Sequence, residues 1–297
     1  MRILISGASG LIGGALRPAL VADGHSTAAL VRRPAAGDQV QWDPACSLDP
    51  RAIEQFDAIV HLAGKNIAGR WTDKFKREVR ESRVQGTRTL ATAAAESFRQ
   101  TGNPRIFVAA SAIGFYGDRG DEELTEASPR GAGFLADVCQ EWEDAAASAA
   151  EAGVRVVHLR IGVVLTKDGG ALRAMLPAFR FGLGGPVGDG RQYMSWVTLA
   201  DVGGAFQFAL TNNQVTGPAN IVAPQPVRNR EFVSALGAAL HRPAVFPLPA
   251  FVVKALFGEM GESLLLASAR VEPTQLLTSG FQFAHPDLTD ALRVTLR

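Results

Sequence analysis

Ser6-Gly7-Ala8-Ser9-Gly10-Leu11-Ile12-Gly13 follows directly on the apolar run Arg2-Ile3-Leu4-Ile5 and opens the helical stretch Leu11–Ala22. Between a strand and a helix each glycine has a physical task. Gly7 permits the tight turn, Gly10 lets backbone approach a pyrophosphate, and Gly13 allows helix and strand to pack closely, while the first amides of the helix face the anion. The spacing is GxxGxxG, and it reads as a dinucleotide-binding loop built by Gly7, Ser9, Gly10, Leu11, Ile12 and Gly13. Pro18 is expected to break or kink the second half of the helix.

Working outward, apolar runs at Arg2–Ser6, Thr27–Val31, Ala58–Leu62, Ile106–Ala110 and Val154–Arg160 alternate with helical stretches. The helices are Leu11–Ala22, Thr72–Phe98 with Thr72 as cap, Phe134–Ala152 and Gly170–Phe181. Strands without polar alternation are those covered on both faces, so the fold class is α/β, a Rossmann doubly wound parallel sheet. After the glycine-rich loop 182–190 come helices at Leu199–Leu210 and Arg230–Leu240, a strand at Ala219–Val222, and late helices at Ala250–Phe257 and Glu262–Ala269. The expected division is a cofactor domain over residues 1–181, joined by about 199–222, and a smaller α/β substrate lobe over 182–297.

The second strand ends Val31-Arg32-Arg33-Pro34, where an NAD enzyme carries an acid for the ribose 2′-hydroxyl, and no carboxylate follows until Asp38. A guanidinium pairs bidentately with phosphate, so NADP(H) is expected, with Arg32 on its 2′-phosphate.

Composition narrows the field further. Thirty Lys+Arg against 29 Asp+Glu leave a formal net charge of +1, which argues against an electrostatic nucleic-acid or membrane-surface binder. No run approaches the ~18 apolar residues of a membrane span, and no charged n-region, h-region and cleavage site appears at the N-terminus. A cytoplasmic location is the expectation. Cys46 and Cys139 stand far apart without metal-ligand spacing, so neither a disulfide scaffold nor a metal site is expected.

These residues resemble the extended short-chain dehydrogenase/reductase superfamily. Beyond the glycine loop, Asp57–Gly64 resembles its fourth-strand signature, which implies that Leu62, Ala63 and Gly64 lie along the cofactor. Ser111 precedes Tyr116-Gly117 as the family serine precedes its Tyr-Gly, and Gly188–Gln192, Ser195-Trp196-Val197 and Asp201 resemble its substrate-lobe segment. The chain is most similar to the divergent branch of epimerase family proteins, through Arg70-Trp71-Thr72 with Ser82-Arg83, Gly133–Cys139 and Arg180–Pro186. Its C-terminal module is similar too, in Pro247-Leu248-Pro249, Phe257-Gly258-Glu259 and Pro273 before Gly280–Phe283. The likeness implies a monomer, or a homodimer through Thr72–Phe98 and Phe134–Ala152.

Ordinary relatives move protons with a Tyr-x-x-x-Lys pair on one helix face. Here Leu135 and Cys139 hold those positions, and neither of the two tyrosines is followed by lysine four residues on, since Tyr116 meets Gly120 and Tyr193 meets Val197. Arg83 replaces the family Asn and is assigned to the cofactor. Cys139 is either a core residue, a ribose contact or a tunable thiol. Ser111 either orients the reacting oxygen or caps its loop, and Tyr116 either donates a proton or shapes the loop. His61 and His158 read as core imidazoles, and Arg160 as a cofactor or structural arginine. Two functions remain open: an NADP(H)-dependent oxidoreductase or epimerase-like enzyme on an unidentified small polar substrate, with Ser111 orienting the reacting oxygen and Tyr116, Cys139 or water moving the proton, and a non-catalytic NADP(H)-binding redox sensor or assembly factor.

Overall fold

Seven parallel strands form the central sheet of the computed structural model, which describes residues 1–297: β1 (Arg2–Ser6), β2 (Ser26–Val31), β3 (Gln39–Gln41), β4 (Ala58–His61), β5 (Ile106–Ala112), β6 (Arg155–Ile161) and β7 (Gly217–Ile221). Their order is β7-β6-β5-β4-β1-β2-β3. The chain therefore reverses direction across the sheet between β1 and β4, and the crevice at such a switch point is where open α/β sheets bind ligands. The architecture is the doubly wound α/β fold.

The apolar runs follow from the two covered faces. Ile3, Ile5, Val60, Val108 and Leu159 pack against Leu16 and Leu20 of α1 (Leu11–Ala22), while Leu4, Ile59, Phe107 and Val156 meet Leu90, Ala91 and Ala94 of α2 (Asp73–Thr101). Thr72 caps α2 through its side chain, as its position predicts.

Three helical expectations need correction. α1 continues through Pro18 to Ala22, because Leu16 and Leu20 on either side of it are fully buried. Burial at ~1.5–3 kcal/mol per leucine outweighs a proline cost of ~3 kcal/mol. The stretch Phe134–Ala152 divides into α3 (Phe134–Asp144) and α4 (Ala147–Glu151), a turn that lets Ala146 and Ala149 bury among the alanines of α2. The last expected helix is a π-turn, Glu262–Leu266, after which the chain extends so that Arg270–Val271 pairs with Glu123–Leu124.

The remaining helices are α5 (Gly170–Arg180), α6 (Leu199–Thr211), α7 (Asn229–Leu240), α8 (Ala250–Gly261), α9 (Thr274–Thr278) and α10 (Leu288–Leu296). α6 covers the sheet beside α1, whereas Leu172, Leu176 and Phe179 of α5 pack with Phe232 and Leu236 of α7 and Leu292 of α10 in a separate cluster. α8 is interrupted at Gly258, whose φ of 56° suits a residue without Cβ.

Candidate functional site

At the switch point the glycine loop is packed too tightly for side chains. A Cβ on Gly7, where φ is +68°, would lie 2.8 Å from the Leu62 carbonyl, and one on Gly13 would lie 2.4 Å from the Gly7 oxygen. The loop holds itself through Gly10 N–H donating to the Gly7 carbonyl at 2.9 Å. Gly10 is the N-cap of α1 and no side chain caps the helix, so the amides of its first turn have no partner within the chain. Ser9 and Leu11 are exposed, and Ile12 and Gly13 lie progressively deeper.

Ser6 Oγ, at the end of β1, accepts from the Leu62 and Ala63 amides at 3.1 and 3.3 Å and bonds His61 Nδ1 at 2.6 Å. His61 is fully buried, and burial holds its imidazole down to about 3. Burial also lowers His158. At the end of β2, Arg32 and Arg33 are exposed, while Asp38, the first carboxylate after them, is taken by Arg17 of α1. The geometry at that strand end is therefore cationic.

Leu62–Gly64 continue from β4 beneath Arg83, whose Cζ would be 3.4 Å from a Cβ on Gly64. Arg83 Nη1 donates to the Lys65 and Val79 carbonyls at 2.9 and 3.1 Å, and its guanidinium lies 5.1 Å over the Trp142 ring. Burial lowers its pKa, opposed by nearby Cys139.

Strand register places Ser111, Arg160 and Asn220 side by side across β5, β6 and β7. Ser111 Oγ donates to Glu143 Oε1 at 2.6 Å. Arg160 grips Glu143 with two bonds, at 2.8 and 2.7 Å, and donates to the Tyr116 hydroxyl at 3.0 Å. Tyr116 in turn donates to Asn220 Oδ1 at 2.8 Å. Ser111, Tyr116, Arg160 and Asn220 are buried while Glu143 is part-buried, and burial raises the Tyr116 phenol despite the adjacent guanidinium. Arg160 also stacks 3.4 Å from the Phe115 centroid.

Glu143 and Asn220 escaped the sequence reading. Glu143 stands four residues after Cys139 and so shares its inner helix face, a position where a carboxylate needs a cation such as Arg160. Cys139 itself is buried, with its sulfur 3.8 Å from where a Cβ on Gly114 would lie. Burial, with Glu143 adding its charge, pushes the thiol up to about 12. No cluster of His, Cys, Asp and Glu is arranged for a metal.

The comparisons agree with this geometry. Residues 3–222 match the NAD dependent epimerase/dehydratase family, and residues 248–294 match a domain of unknown function, DUF1731, where the C-terminal module was expected. The epimerase family protein MT2273 of Mycobacterium tuberculosis is 43% identical over 293 residues, which cover 98% of this chain and 96% of that protein. The crystal structure of human epimerase family protein SDR39U1 (isoform 2) with NADPH superposes with a TM-score of 0.91 at 37% identity, covering 99% of both chains. A nucleoside-diphosphate sugar epimerase from Corynebacterium glutamicum superposes with a TM-score of 0.81 at 36% identity, over all of this chain and 58% of that one. With a switch-point glycine loop, a match over most of its length and relatives similar from end to end, this chain belongs to the NAD dependent epimerase/dehydratase family.

Proposed function

We propose that the chain binds NADP(H) and acts as an oxidoreductase or epimerase-like enzyme on a small polar substrate. The observation that carries this is the uncapped first turn of α1 in its glycine cradle, beside a β2 end that presents Arg32 and Arg33 with no carboxylate left free. The human relative crystallised with NADPH supports the same cofactor. The first amides of α1 would hold the pyrophosphate, Arg32 the 2′-phosphate, and Leu62, Ala63, Gly64 and Arg83 the nicotinamide half. When bound, NADPH supplies a hydride.

The chain's own residues then orient rather than titrate. Ser111 directs its proton to Glu143, which leaves its lone pairs to accept from a substrate hydroxyl or water. Tyr116 directs its proton to Asn220, and Cys139 stays a thiol at neutral pH. The proton that accompanies hydride transfer therefore comes from water.

That Ser111, Tyr116 and Arg160 already direct their protons to Glu143 and Asn220 favours a second reading, a non-catalytic NADP(H) sensor or assembly factor. We place the cofactor domain at residues 1–181 with about 199–222, the substrate lobe at 182–297, and the protein in the cytoplasm as a monomer or homodimer. No helix is long and apolar enough to cross a membrane.

Fluorescence titration with NADPH and NADH, followed by NADPH oxidation with a panel of aldehydes, ketones and quinones, tests both readings. Turnover that falls in Ser111→Ala supports the enzyme, while tight binding without turnover supports the sensor. A preference for NADH overturns the cofactor assignment.

A further inference from the structure

One apolar surface is formed by the strap after α5 and the segment leading into α8. Phe181, Leu183, Phe246, Phe251 and Leu256 are 81%, 62%, 56%, 73% and 68% exposed. Phe181, Leu183 and Phe246 are held close by the strap after α5, which runs along the segment leading into α8, and Phe251 stands in the first turn of α8 just beyond that segment. Phe246 N–H donates to the Gly184 carbonyl at 3.0 Å, Leu248 N–H to the Pro186 carbonyl at 2.8 Å, and a Cβ on Gly185 would collide with the Phe246 oxygen. Of the twelve residues of α8 only Val253 and Gly261 are buried, although the helix carries a single lysine and a single glutamate. An apolar patch left open in this way marks a contact surface.

The charge around it is one-sided. Arg180 and Arg242 flank Phe181 without a carboxylate partner, whereas Lys254 is paired with Glu262 and Arg173 lies by Asp168. Arg242 donates to the Arg180 carbonyl at 3.1 Å, which sets it beside Phe181, and the side chains of Arg173 and Arg242 bond only main-chain carbonyls. The carboxylates that follow are already matched, Glu259 by Lys76 and Glu262 by Lys254.

We propose that this surface docks the protein on an anionic lipid bilayer. Phenylalanine and leucine side chains more than half exposed stand out of the surface rather than line a groove, and a bilayer needs no complementary shape to take them. Unpaired arginines at their edge meet lipid phosphates. A two-fold pairing of this surface would instead bring two such arginine clusters into one interface without free carboxylates between them. The balance of +1 over the whole chain hides this local asymmetry.

Sedimentation of the full chain with vesicles of phosphatidylcholine alone, and of phosphatidylcholine with an equal part of phosphatidylglycerol, tests the assignment. The expected result is pelleting with the anionic vesicles, reversed by high salt. Binding should weaken about fivefold for each arginine neutralised in Arg180→Gln and Arg242→Gln. Phe246→Ser with Phe251→Ser should abolish it, with NADPH binding kept as the measure of folding. Absence of pelleting with anionic vesicles overturns the proposal. Binding of a polyglutamate peptide without vesicle binding assigns the surface to an acidic protein and also overturns it. A dimer by analytical ultracentrifugation that Phe246→Ser dissociates, again without vesicle binding, has the same consequence.

Discussion

Arg32 is the residue on which cofactor choice turns, since it is exposed at the end of β2 with no acid beside it. Arg32→Ala should weaken NADPH about 10- to 100-fold, the worth of a charge-assisted bond, and leave NADH affinity nearly unchanged in a fluorescence titration. His61 makes a different demand. Its folded pKa of about 3 lies below the ordinary 6.5, so its contribution to stability is present above pH 6.5 and is lost as pH falls toward 3. Complete loss is on the order of 5 kcal/mol. Calorimetry across that interval should show a falling Tm in the native chain and a flatter profile in His61→Asn. Both residues stood out in the sequence, Arg32 as an arginine where a carboxylate is usual and His61 as a lone polar group in an apolar run. Their partners did not, because Asp38 is removed by Arg17 and His61 is tied to Ser6 only across the fold.

At the scale of elements, the glycine turn and the row across β5, β6 and β7 carry the energetics. Gly13→Ala would place a methyl 2.4 Å from the Gly7 oxygen, forcing α1 away from its strand. A loss of NADPH affinity of at least about tenfold is expected in titration, with ~1–3 kcal/mol of stability lost to overpacking in urea unfolding. Glu143→Ala leaves the Arg160 guanidinium buried without its carboxylate and should cost ~3–5 kcal/mol in the same assay. Glu143→Leu combined with Arg160→Met should recover most of that loss; if it does not, the ion pair is not what Glu143 contributes. The turn was readable because its constraints lie within a few residues. The row was not, since Ser111, Arg160 and Asn220 become neighbours only through parallel register and Glu143 reaches them only when α3 packs on β5.

For the whole molecule, ligand binding reports on the cofactor assignment. NADPH at 100 times its Kd should stabilise the fold by about 2.7 kcal/mol. At this chain length that is a Tm rise of roughly 4 °C, with NADH giving a smaller one. Sequence alone settled the parallel α/β architecture, the strand–glycine–helix unit, the missing Tyr-x-x-x-Lys pair and the cationic end of β2, all matters of residue type and short spacing. Local steric rules and hydrophobic period act between neighbours in the chain, so they can be read without coordinates. Tertiary structure decided that Ser111, Tyr116 and Arg160 are bound to Glu143 and Asn220, and that Cys139 is held as a thiol. It also decided that arginines from α5 and from the segment before α8 gather around exposed phenylalanines. Burial, register and electric field depend on which distant segments meet, and composition averages over that arrangement.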